Sequence, residues 1–159
     1  MTVPAAMPLR AGRLSAVAWV SLGGVAIGTL DLAFAWAFWQ SHGVTPMRIL
    51  QSVAAGVLGE ASFAGGTASA ALGACLHYFI ATMFVVVYRL VGLRHAGLRR
   101  HPVSHGLAYG LLLYLAMNFV VVPLSAAATP GFGNLPWVAS SVAMHAVFGV
   151  MCALFARRA

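Results

Sequence analysis

Apolar positions in this chain are gathered into four long runs, at residues 17–39, 69–91, 105–124 and 136–155. A bilayer core about 30 Å thick is spanned by about 20 helical residues, and each run has that length. Three connections separate them. Residues 92–104 hold Arg94, His95, Arg99, Arg100 and His101; residues 125–135 hold no charge and are rich in Ala, Gly and Pro; residues 40–68 hold one Arg, one Glu and several glycines. Within that last segment Thr45 can cap a helix, Pro46 suits its first position and Gly59 can end it. Leu50, Val53, Ala54, Val57 and Leu58 recur at helical spacing between them. The pattern predicts an all-α, four-helix transmembrane bundle forming one domain, with a short amphipathic helix in the first outer loop. That helix lies along the membrane surface or is tucked against the bundle.

Composition strengthens this reading. Hydrophobic residues make up 62% of 159, charged residues only 7%, and the mean hydropathy is +0.93. A soluble domain carries about 25% charged residues, so a water-facing surface cannot be assembled from this chain. Disorder needs the opposite composition.

The net charge of +7 and pI near 10.8 do not indicate nucleic acid. All nine basic residues are Arg, and eight flank apolar runs: Arg10, Arg13, Arg89, Arg94, Arg99, Arg100, Arg157 and Arg158. By the positive-inside rule these flanks and both termini face the cytoplasm, and Trp36, Trp39 and Trp137 fall at an outer aromatic belt. Arg10, Arg13 and Ala33-Phe34-Ala35 resemble parts of a signal peptide, but the apolar stretch between them exceeds the usual h-region of about 7–15 residues. It is read as a retained first span. Cys75 and Cys152 fall near opposite membrane faces, too far apart for a disulfide.

An internal repeat is visible. Gly24-xxx-Gly28 in the first span matches Gly106-xxx-Gly110 in the third, both being surfaces for close helix approach and one route to a homodimer. His77 is followed by Ala81, Met83 and Arg89, and His145 by Gly149, Met151 and Arg157, at the same offsets. Two helical hairpins related by a pseudo-twofold axis along the membrane normal would produce this.

The candidate site is a polar layer inside the membrane. A charge at mid-membrane costs at least about 2.5–3.5 kcal/mol, so such residues need a reason. Counting about 1.5 Å per residue from the outer ends, Asp31 and His145 lie roughly 12 Å deep, His77 about 12–15 Å and Asn118 roughly 9 Å. At about 100° per residue, Asp31, His77 and His145 face inward, with Asn118 roughly 80° off the Gly110 direction. Three roles are open for this layer: mutual hydrogen bonding that fixes helix register; a proton- or ion-responsive site, since imidazole changes charge near neutrality; or ligation of a b-type haem or a metal by His77 and His145. No catalytic constellation stands out. Ser125, Ser140 and Ser141 lack a recognisable base, Glu60 is solitary, and no enzyme is expected.

His77-Tyr78-Phe79, Gly106-Leu107-Ala108-Tyr109-Gly110, Val122-Pro123-Leu124, Thr129-Pro130, Leu135-Pro136-Trp137, His145 and Arg157-Arg158 occur in this order. Over residues 70–158 the chain resembles the YagU-type family of bacterial inner-membrane proteins, which is associated with acid resistance. Pro46-Met47-Arg48 corresponds to a further proline–arginine element of that family. The acidic residues the resemblance implies in the last span are apolar here. The resemblance implies a non-enzymatic inner-membrane protein that senses or conducts protons in acid or envelope stress. The alternative is an accessory or anchoring subunit of a larger, respiratory-type membrane complex, with haem b between His77 and His145.

Overall fold

The computed structural model describes residues 14–129 and 131–159. The expectations for Arg10, Arg13 and Pro130 lie outside them. Seven α-helices follow in order: α1 (Ala16–Trp39), α2 (Pro46–Leu58), α3 (Gly66–Arg94), α4 (Ala96–Arg100), α5 (Pro102–Ala116), α6 (Val122–Leu124) and α7 (Leu135–Arg158). A π-helical turn, Met117–Val121, joins α5 to α6. Four stretches are long and apolar enough to cross a membrane: Ala16–His42, Gly66–Arg94, Pro102–Leu124 and Leu135–Arg158. This is a small all-α, multi-pass membrane protein.

Local chemistry sets the helix ends. Ser15 caps α1 by accepting from Ala18 N–H, and Asn134 caps α7 by accepting from Trp137 N–H, both at 3.1 Å. Thr45 accepts from Arg48 N–H at 3.2 Å, Pro46 opens α2, and Gly59 follows it at φ +58°, where only glycine is unstrained. The π turn lies just before Pro123. A proline within a helix removes one N–H and crowds the carbonyl four residues back, here Phe119. The widened turn directly upstream absorbs that conflict.

Many large apolar side chains point outward, while small residues line the closest helix approaches. Phe79 and Phe119 are more than half exposed, whereas Ala54, Val85 and Cys152 are fully buried. Lipid offers no drive to hide apolar surface, so close approach at small residues holds the spans together. A Cβ built on Gly24 would lie 2.7 Å from Thr82 Cα, and one on Gly28 would lie 2.8 Å from the Tyr78 ring. In the second hairpin Gly106 meets Val150 Cα and Gly110 meets Ala146 Cα, each at 2.7 Å. Counted from the histidine of the facing helix, His77 or His145, the first glycine meets the residue five positions on. The second meets the very next residue. The repeat in sequence is thus a repeat of packing register in the α1–α3 and α5–α7 hairpins. It also corrects one expectation: Gly24, Gly28, Gly106 and Gly110 are buried within the chain and offer no free face to a second copy.

α7 is the hub, packed against α5, α1 and α3. Between α5 and α3 a tyrosine bridges: Tyr109 Oη donates to the Phe84 carbonyl at 2.9 Å, and its ring packs edge-on against Tyr88. The core cluster of Ile27, Ala81, Val85, Tyr88, Leu113, Phe148 and Cys152 fills the bundle toward the arginine-bearing end. At the other end α2 folds against α3. Gly73 makes this possible, because any Cβ there would run into the Leu50 carbonyl. Gln51, buried, donates to the Gly66 carbonyl at 3.1 Å, and Ala126 N–H donates to the Gly56 carbonyl at 3.0 Å. The amphipathic helix is therefore part of the bundle wall, pinned on both sides.

Candidate functional site

Above the core cluster the interior opens into a cavity of about 320 Å³. Ile27, Ala81 and Phe148 form its floor, shared with the core. α1 contributes Asp31, α3 contributes His77 and α7 contributes His145. Ser52, Val53 and Gly56 of α2 close one side, with Ser125 and Ala127 beyond α6, and the π turn supplies Met117 and Val121. Three of the four residues of the expected polar layer thus line one space.

The two imidazoles are held differently. His77 Nε2 lies 2.9 Å from the Gly28 carbonyl and 3.9 Å from Asp31 Oδ2. A carbonyl can only accept, so Nε2 carries the hydrogen and Nδ1 keeps a lone pair in the neutral ring. This bond ties α3 to α1 at the glycine where they approach closely. His145 Nδ1 lies 2.8 Å from the Ser141 carbonyl one turn back on its own helix. Its Nδ1 carries the hydrogen and Nε2 is left available. The Tyr114 and Phe148 rings bracket it at centroid distances of 5.4 and 5.6 Å. The His77 side chain is 12% exposed and the Asp31 side chain 37%. The pair is therefore accessible from one side through the carboxylate.

The fourth residue of the layer sits elsewhere. Asn118, on the π turn, donates from Nδ2 to the Tyr114 carbonyl at 2.9 Å. It lines a second cavity of about 330 Å³ with Trp39, Tyr114, Asn134, Trp137 and Ser141, not the one holding Asp31. The count along α5 already turns Asn118 roughly 80° from the Gly110 direction, in keeping with its facing a different cavity. Trp39 and Trp137, expected at the aromatic belt, also pack on each other at 5.3 Å, with Phe38 against Trp137 at 4.9 Å.

Among the described residues no three His, Cys, Asp or Glu side chains converge closely enough to hold a metal ion. Axial ligation of a haem through His77 Nε2 would cost the bond to the Gly28 carbonyl, so that nitrogen is poorly placed for the role the haem reading gives it. Cys75 and Cys152 are both free, one exposed and one buried.

Sequence reasoning missed the α2 contribution of Ser52 and Gly56 and that of Ser125 after α6. The usable signal was Gly73: an unexplained glycine in a membrane span marks a backbone approaching from outside the four main rods. No family model, curated protein or solved structure matches this chain.

Proposed function

We propose that the cavity between α1, α3, α7 and α2 is a proton-responsive site, and that this small membrane protein senses or passes protons through Asp31, His77 and His145. One observation carries the reading: a carboxylate and an imidazole 3.9 Å apart open onto a cavity that a second imidazole also lines. In the neutral state His77 Nδ1 and His145 Nε2 can each accept a proton. When Asp31 is ionised, a proton taken up on His77 makes the Asp31 contact an ion pair between α1 and α3. The cavity volume leaves room for several waters, each needing two to four polar partners. Asp31, the two imidazoles, Ser52 and Ser125 supply such partners, so protons can move between groups that do not touch directly.

An intramembrane ionisable residue is retained at a cost, which makes a functional role its first reading. The resemblance to the YagU-type family, with its tie to acid resistance, supports the same reading. We therefore read the membrane as a bacterial inner membrane, and the arginine flanks support both ends of the chain being cytoplasmic. The test is proton flux into liposomes loaded with a pH-sensitive dye, together with survival of expressing cells after an acid shock. His77→Ala and His145→Ala are expected to lower both. Wild-type behaviour from both variants removes the proposal.

A further inference from the structure

The arginine end of the bundle holds a second kind of site. A pocket of about 100 Å³ opens between α3, α4 and α7, and Arg89, Arg99 and Arg157 line it together with Tyr88 and Gly92. Arg89 lies five residues before the end of α3, about 7–8 Å along the helix axis, so its charge is drawn toward the apolar layer. Its Nη2 donates to the Ala159 carbonyl at 3.0 Å, while its Nε is buried and has no hydrogen-bond partner among the described residues. A buried, unsatisfied donor on a cation is costly unless something supplies an acceptor. Arg99 is placed deliberately. Tyr88 Oη donates to the Leu98 carbonyl at 3.2 Å and pins α4 to α3. The Arg99 stem lies over Gly92 of α3, its Cγ at an ordinary contact distance of 3.8 Å from where a Cβ would stand.

Among the described residues no Asp or Glu side chain pairs with these guanidinium groups, and the main-chain oxygen of Ala159 is the one acceptor Arg89 has. The sequence contains two acidic residues, Asp31 and Glu60. Asp31 lines the cavity at the other end, and Glu60 lies in the 3-10 turn that follows α2. Ordinary flanking arginines fan out into water, whereas these three come from three helices to one pocket. Guanidinium forks match the oxygens of a phosphate group, and basic pockets between membrane helices take lipid headgroups. The volume suits one phosphate group rather than a nucleotide, and the ends of membrane-spanning helices are where a bilayer places its phosphates. We propose that Arg89, Arg99 and Arg157 bind the phosphodiester of an anionic membrane phospholipid.

The test uses the full chain, delipidated in detergent and titrated with defined lipids under native mass spectrometry. Phosphatidylglycerol is expected to bind at least about fivefold more tightly than phosphatidylcholine. Arg99→Gln should weaken it about fivefold, and Arg89→Gln with Arg99→Gln about 25-fold. Arg158→Gln removes an arginine outside the pocket, seated over the Trp19 ring, and should leave binding within about twofold of wild type. Equal binding of the two lipids, or wild-type binding by the double variant, overturns the proposal. Inorganic phosphate that displaces the lipid and is itself retained overturns the lipid assignment in favour of free phosphate. Should the double variant lose its helical circular dichroism, Arg99→Gln decides alone, because Arg99 is exposed on α4.

Discussion

Gly110→Ala tests the packing that brings His145 to the cavity. The added methyl would collide with the His145 carbonyl oxygen and lie 2.7 Å from Ala146 Cα and His145 C, all main-chain atoms of α7. No rotamer change relieves a clash with backbone, so α5 and α7 must move apart by most of an ångström along their length. Forcing a methyl into a well-packed interior typically costs about 1–3 kcal/mol, and the rigid neighbours here put the expected loss near the upper figure. Gly97→Ala is the control, since a Cβ at Gly97 meets nothing within 4 Å. It should be neutral or stabilise by up to about 1 kcal/mol, from glycine's poor helix propensity. The assay is reversible unfolding in mixed detergent micelles, followed by far-UV circular dichroism. The double variant Gly106→Ala with Gly110→Ala should cost less than the sum of its parts, because helices already separated admit a second methyl cheaply. A Gly110→Ala protein within about 0.5 kcal/mol of wild type would refute the close α5–α7 approach.

Three further outcomes follow from the same geometry. Tyr109→Phe removes the bond to the Phe84 carbonyl, which bridges α5 and α3; unfolding in micelles should show a loss of about 0.5–1.5 kcal/mol. Gly56→Leu has room for its Cβ, whose nearest neighbour is Ser125 at 3.8 Å, and sends the rest of the side chain toward the cavity. Liposome flux should fall at least about tenfold while unfolding stability stays within about 1 kcal/mol, and unchanged flux would place the route elsewhere. Visible-range absorption of the purified protein should show no Soret band; a band abolished by His77→Ala and by His145→Ala would favour haem ligation over the proton reading.

The sequence made the rods legible because a membrane demands them. Length and hydropathy alone placed the four spans within about three residues of their ends, and Thr45, Pro46 and Gly59 marked α2 at both termini. The shared inward direction of Asp31, His77 and His145 was readable because α1, α3 and α7 are regular, so that counting by helical turns holds. Asn118 shares the depth of that layer by count but lines another cavity, as its roughly 80° offset from the Gly110 direction already indicates. Pro123 announces a disturbed helix, but the pattern of apolar residues does not say whether the chain kinks, unwinds or widens into a π turn. The α2 wall of the cavity was hidden because tertiary contact decides whether an amphipathic helix lies on lipid or on protein. Here Gly73 and Gln51 decide it. The arginine pocket was hidden as well: Arg89, Arg99 and Arg157 read as three separate flanking charges until α4 folds back over Gly92.

The central claim is that Asp31 carries protons together with the two imidazoles around it. Asp31→Asn keeps the size of the side chain and its ability to accept a hydrogen bond, and removes the exchangeable charge. Proton flux should be measured in liposomes with this variant at matched protein density and verified helical content. Flux reduced to the level of protein-free liposomes is the predicted result. Flux equal to wild type would contradict it.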